Sequence, residues 1–173
     1  EPNALLLAKT PGTRMRGGSL RTTPSSGGGW DWNPLARINA LLDHLGNCDD
    51  QNTRILYEAY GRFFRAYFYY YKVRDFGDVP FYDHELGVSE NDQLYKARDS
   101  RDYIMEKMLA DVDFAIANLP SEKDPYHVTK WTAMAFKSRF CLFEGTWRKY
   151  HGNTSLSSGE AYEHDADYYL KLA

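Results

Sequence analysis

The sequence has no run that approaches the roughly 18 consecutive apolar residues a bilayer-crossing helix needs. It has two cysteines, Cys48 and Cys141, far apart and in no C-x-x-C arrangement. They read as two small buried hydrophobes rather than a disulfide, and they say little about compartment. It has no excess of positive charge: 21 basic residues stand against 24 acidic ones, for a formal net charge of -3. Phosphate binding needs a clustered basic surface, so nucleic acid is not an expected partner. No leader peptide and no lipid-attachment cysteine opens the chain, which does not begin with Met. That pattern reads as a mature or truncated product, in which a missing export signal does not exclude export.

The motifs of catalysis and cofactor binding are lacking too. Gly27-Gly28-Gly29 is followed by no Gly-Lys-Ser/Thr, which excludes a P-loop, and by no dinucleotide fingerprint. Asp75-Phe76-Gly77 spells a kinase triplet without the glycine-rich loop, strand lysine or H-R-D loop a kinase needs. The five histidines, His44, His84, His127, His151 and His164, include no H-E-x-x-H pair, and no Cys-His cluster suits zinc. Asp78, Asp83 and Glu85 share one loop without the twelve-residue calcium-binding pattern, and read as solvated acids. Asp111/Asp113 and Asp165/Asp167 are spaced i, i+2, on different helix faces, which does not suit paired acid–base catalysis. Neither a metal nor another cofactor is expected, and Asn153-Thr154-Ser155 matches a glycosylation sequon by chance.

Aromatic residues are abundant, at 16% of a chain that is 43% hydrophobic, enough for a folded core. Tyrosine-rich helices fill wide spaces between helices while each ring keeps a polar tip, so about four in five rings are expected in the core. Residues 1–29 look irregular, with Pro2, Pro11, Pro24 and clustered glycines, and only Ala4 to Ala8 suit a helical turn. Residues 30–173 read as one helical domain.

Asn33 as N-cap and Pro34 at the first helical position predict a helix whose stripe is Leu35, Ile38, Leu41, Leu42 and Leu45, stopped by Gly46. A second helix is predicted over 50–74. Tyr57, Tyr60, Phe64, Tyr67, Phe68 and Tyr71 recur along it, and Ala59, Gly61 and Ala66 allow close approach. Gly77 and Pro80 end it, and 81–97 form a long acidic connection, in which Phe81 and Tyr82 pair briefly at most. A third helix over 99–118 carries Met105, Met108, Leu109, Val112, Ile116 and Leu119, closed by Pro120. Thr129 caps a fourth, with Ala133, Phe136, Phe140, Phe143 and Trp147 on one face and Arg148, Lys149 and His151 as cations at its C-terminal end. A polar loop over 153–159 leads to a fifth, which starts near Gly159 and is still running at Ala173, as if the domain continued. The fold class is all-α, built of antiparallel helix pairs.

One segment suits ligand binding. In Gly28-Gly29-Trp30-Asp31-Trp32-Asn33 two tryptophans flank an acid before a helix start. Trp30, Asp31, Trp32 and Asn33 could stack on sugar rings and bond their hydroxyls, burial of pyranose C–H surface being worth roughly 1–3 kcal/mol. The bland reading packs a tryptophan under the helix end as a hydrophobic staple, although Trp32 would then meet Arg37 rather than an apolar residue.

Several motifs agree in order with a known family. Arg65-Ala66-x-x-Tyr69 followed by Phe76-Gly77-Asp78-Val79-Pro80 resembles the R-A-x-x-Y…F-G-x-V-P signature of the SusD/RagB family. Asp99-Ser100-Arg101-Asp102-Tyr103 through Leu119-Pro120, and Val128-Thr129-Lys130-Trp131 through Glu144-Gly145, look like its next two helices, and Arg37-Ile38-Asn39 fits as well. Gly61 stands where the family often has Glu or Ala. The resemblance covers 27–173. It implies helix pairs stacked as tetratricopeptide-like repeats, about 51–118 and 127–173, without a strict 34-residue consensus. Family members are usually several times longer.

The implied function is binding, not catalysis. Such proteins are surface lipoproteins of the outer membrane that lid a SusC-like TonB-dependent transporter and capture oligosaccharides, in some cases peptides. By that resemblance residues 30–33 are candidate ligand contacts. The alternatives are a helical-repeat scaffold that binds a protein partner and no glycan, and a glycan-degrading helical enzyme, which lacks a suitable carboxylate pair.

Overall fold

The computed structural model describes residues 28–155 apart from Val88, and residues 158–173. The chain divides into two compact units, Glu1–Asp31 and Trp32–Ala173. Of the first, residues 28–31 are described, and Gly28 and Gly29 make a turn at φ 53° and 89°. The helical turn expected at Ala4 to Ala8, and Gly27, lie outside the described residues.

The second unit is all-α. Its helices are α1 (Asn33–Asp43), α2 (Gln51–Phe76), α3 (Asn91–Leu94), α4 (Arg101–Asn118), α5 (Lys130–His151) and α6 (Ala166–Leu172), with a 3-10 turn at Leu45–Asn47. Its described residues hold only two isolated β-bridges, Val79 with Asp99 and Thr154 with Ala161.

Local chemistry sets most boundaries. Asp50 caps α2 by accepting from Thr53 N at 2.8 Å, and Gly77 ends it at φ 73°. Ser100 caps α4, Asp165 caps α6, and Thr129 pairs with Thr132 at the head of α5. Three expectations need correction. Trp32, not Asn33, holds the N-cap position of α1, and Pro34 falls within its first turn. Gly46 lies in the 3-10 turn; α1 stops because His44 turns back, its Nδ1 2.8 Å from Ala40 O. The last helix starts at Ala166 rather than near Gly159, because Ser155 N bonds Glu160 O and Tyr162 N bonds Asn153 O, both at 2.8 Å.

The helices pair in antiparallel fashion. Along α2 and α4, Arg101 reaches Val73 O at one end and Arg65 meets Asp111 further along. Between α4 and α5, Arg101 meets Glu144 and Asp113 meets Lys137. The core runs through Phe63, Ala66, Tyr69 and Val73 of α2, Ile104, Met105, Met108 and Val112 of α4, Ala133, Phe136 and Phe140 of α5, and Tyr169 of α6. Fewer rings are buried than composition suggested: Tyr57, Phe64, Tyr67, Tyr95, Tyr103, Tyr126, Trp131 and Tyr150 are exposed. Leu41 is exposed as well, while Asn39 takes a buried place on α1. Cys141 is buried, and burial pushes its thiol up to about 12, which makes it inert. Cys48 is only half-buried, and both thiols are free.

Two glycines mark close approaches. A Cβ on Gly61 would lie 2.6 Å from Leu42 Cδ2, the movable end of a half-exposed side chain. A Cβ on Gly145 would lie 2.7 Å from Leu170 Cγ and 3.0 Å from the backbone oxygen of Ala166. Gly145→Ala is therefore expected to destabilise by about 1–3 kcal/mol, because α6 must move away as a body. Gly61→Ala gains up to about 1 kcal/mol of helix propensity and stays near wild type. Urea midpoints of the two variants check this, and equal midpoints would mean that α6 yields freely.

Candidate functional site

The segment singled out from sequence meets different surroundings residue by residue. Trp30 is half-buried and Asp31 is exposed. Asn33 is exposed and opens α1. Trp32 is half-buried in a nest of rings, with centroids 5.6 Å from Phe68, 6.4 Å from Tyr69 and 5.5 Å from Tyr82. Lys72 Nζ lies 5.3 Å from the Trp32 ring, 5.1 Å from Phe68 and 5.6 Å from Phe76, a buried ammonium facing three aromatic faces. Trp32 thus anchors the start of α1 on α2, in place of the staple contact with Arg37.

The signature residues build the frame of the long loop after α2. Arg65 grips Asp111 with two bonds of 2.7 Å, and its third nitrogen donates to Asp83 O at 3.1 Å. Tyr82 N donates to the Tyr69 hydroxyl at 2.7 Å, and burial raises the pKa of that phenol, so it stays neutral. Asn39 donates to Tyr82 O and His84 O, at 3.0 and 2.9 Å. Lys96 donates to Phe81 O at 2.7 Å, and Asp99 accepts from Phe81 N at 2.6 Å. Ala66 of the same signature is buried.

A buried ion network joins α4, α5 and the approach to α6. Glu144, at 0% exposure, accepts from Arg101 Nε at 2.8 Å and from Arg148 Nε at 2.8 Å. Arg148 also donates to Asp102 Oδ1 at 2.8 Å and, through Nη1, to His164 O. Arg148 stands in the last turn of α5 as expected, and it is also buried, joined to Glu144 one turn before it on the same face. His151 does close its own helix end, with Nδ1 2.9 Å from Trp147 O.

The loop acids do not converge. Asp78 accepts from Arg101 N, Asp83 pairs with His84 at 2.9 Å, and Glu85 N donates to Asp43. The Asp83 hydrogen bond raises the His84 pKa and so favours the imidazolium. Asp111 is buried while Asp113 is exposed and holds Lys137, the opposite faces their spacing implied.

Two clefts lined by described residues open on the helical unit. One, of about 540 Å³, is lined by Leu42, Leu45, Glu58, Arg62, Arg65, Asp83 and His84. The other, of about 340 Å³, is lined by Phe76, Gly77, Asp78, Arg98, Arg101, Trp147 and Tyr162. In the second, Trp147 carries the Arg101 guanidinium at 4.0 Å and stacks with His151 at 4.6 Å. Its ring surface is already engaged by protein. Neither lining includes residues 30–33.

Comparison with known proteins agrees on one family. The profile of a SusD-like family, described as starch-binding and associating with the outer membrane, matches residues 31–142. One SusD-like protein of Formosa agariphila is 29% identical over 126 residues, covering 68% of this chain and 24% of the relative. Another is 33% identical over 118 residues, covering 66% and 23%. A solved SusD-like protein from Bacteroides fragilis superposes with a TM-score of 0.59 at 24% identity, over 66% of this chain and 23% of that one. A laminarin-binding SusD-like protein gives 0.59 at 21%, over 71% and 29%. A protein crystallised with a xylogluco-oligosaccharide gives 0.61 at 19%, over 76% and 26%. At such identities the structural likeness speaks for the fold. The chain spans about a quarter of the length of the curated relatives it matches.

Proposed function

The chain belongs to the SusD-like family of starch-binding proteins that associate with the outer membrane, and from that premise we propose that it is part of a non-catalytic glycan-binding protein. The profile match over 31–142 carries this reading, since it includes the whole frame that holds the 77–90 loop. The protein sits on the cell surface as a lipoprotein, captures oligosaccharides and delivers them to a SusC-like TonB-dependent transporter. Relatives of the same fold solved as a laminarin-binding protein and with a xylogluco-oligosaccharide support a glucan-type ligand.

Trp30, Asp31, Trp32 and Asn33 make the sugar contacts. Trp30 supplies a ring to stack on a pyranose, Asp31 and Asn33 bond hydroxyls, and Trp32 contributes an edge while anchored among Phe68, Tyr69 and Tyr82. The two tryptophans therefore respond differently to truncation. In the full-length protein, Trp30→Ala is expected to lose glycan binding with little change in melting temperature. Trp32→Ala also costs about 2 kcal/mol of stability, below the value for a fully buried tryptophan. Calorimetric titration against a glucan panel, with thermal unfolding of each variant, checks both. Unchanged binding in a folded Trp30→Ala variant would move the site off this segment.

A protein-binding scaffold without glycan affinity is the second reading. It draws on Trp131, Met134, Leu142 and Tyr150, all exposed along α5, since surface clusters of large apolar side chains mark interaction sites. A wild-type protein that binds no glycan would favour it.

A further inference from the structure

Glu106 on α4 meets Glu163 and His164 from the segment before α6. One ligand atom from each lies within 4.8 Å of the others. This is a tertiary meeting of three side chains and two kinds of donor, not a local run of acids. The main chain that carries two of the three is fixed from below. Glu163 N donates to Asp102 Oδ2 at 2.9 Å, and His164 O accepts from Arg148. Asp102 lies one turn before Glu106 on α4, so the buried ion network that sets the helix spacing also sets the spacing of the three donors. The His164 ring is held flat against Tyr168, with centroids 3.7 Å apart and planes at 15°. Neither glutamate has a Lys or Arg ion-pair partner among the described residues.

Two carboxylates held close together with no basic partner attract a cation. An imidazole nitrogen beside two carboxylate oxygens is a donor set for borderline divalent ions, which bind such donors at about 2.0–2.2 Å.

We propose that Glu106, Glu163 and His164 form a binding site for a divalent transition-metal ion, zinc being the first choice. The ion clips the approach to α6 onto α4, and water completes its coordination. This site is independent of the glycan-binding reading. Asp102 and Arg148 act as positioning residues beneath it.

The test uses the tag-free full-length protein, stripped with chelator and then titrated with zinc chloride by calorimetry, with bound metal counted after dialysis. One equivalent of zinc and a rise in melting temperature are expected, since an ion that binds only the folded state stabilises it. His164→Ala and Glu163→Gln each weaken zinc binding at least tenfold while circular dichroism stays that of wild type. Manganese and calcium run alongside, and preference for calcium over zinc would overturn the choice of ion class. No stoichiometric metal in the wild type, or zinc binding in both variants equal to that of wild type, would overturn the site.

Discussion

Glu144→Ala is expected to cost about 3–5 kcal/mol of folding stability, the range for breaking a buried ion pair from one side. Glu144 is 0% exposed and lies between Arg101 and Arg148, which are 3% and 1% exposed. Arg101 Nη2 lies 2.6 Å from one carboxylate oxygen and Arg148 Nε 2.8 Å from the other. An arginine does not shed its charge, so removing the carboxylate leaves two buried cations close together. Arg148 keeps Asp102 and the rings of Tyr162 and Tyr169, at 4.3 and 4.6 Å. Among the described residues, Arg101 keeps Val73 O and its aromatic contacts with Trp147 and Phe143.

Glu144→Gln preserves shape and the contacts of one oxygen, but it removes the charge and turns a donating NH2 toward an arginine N–H. Its cost should be about half that of alanine if charge and geometry contribute alike. Urea unfolding followed by circular dichroism measures both. Losses below about 1 kcal/mol in both variants would mean that solvent screens the network.

The parts of this fold that were legible in the sequence are those set by local chemistry. Thr129 opens α5 as expected, its amide donating to the Thr132 hydroxyl and its own hydroxyl meeting that group, and Gly77 ends α2 by taking a positive φ. The buried face of α2 was not legible. Tyr57, Phe64 and Tyr67 form a regular stripe yet are exposed, while Ala59, Phe63, Ala66, Tyr69 and Val73 go inside. A helix aromatic nearly all round has little contrast between faces, and tyrosine tolerates either side. The small residues Ala59 and Ala66 were the better guide, since both are fully buried.

The site divides in the same way. Residues 30–33 stand out by composition, but the role of Trp32 depends on Phe68 and Tyr82, distant in the chain. The Arg101 to Glu144 pair spans 43 residues, and only the Glu144/Arg148 spacing hinted at it. The Glu106, Glu163 and His164 group was not legible from spacing, since it forms where the segment before α6 meets α4, far away in the chain.

Asp111→Ala should fall at the lower end of the same range, about 3 kcal/mol, because it strands one arginine instead of two. Arg65 and Asp111 are both buried, and two bonds of 2.7 Å join them across α2 and α4. Arg62 gives little relief: its nearest nitrogen is 3.9 Å from Asp111, and it is held by Glu58 at 2.6 Å and by the Phe114 ring at 4.2 Å. Arg65→Met with Asp111→Leu fills the same space without charge and should return to within about 1 kcal/mol of wild type, since apolar replacement of a buried pair is often neutral. Arg65 has a second duty, however, in its bond to Asp83 O, which straps the loop after α2. The double variant keeps the helix pair but loses the strap, so amide exchange over 77–90 should quicken while global stability holds. A double variant as unstable as Asp111→Ala would place the main contribution of Arg65 in the strap, and the ion pair would then serve to aim the guanidinium at the loop.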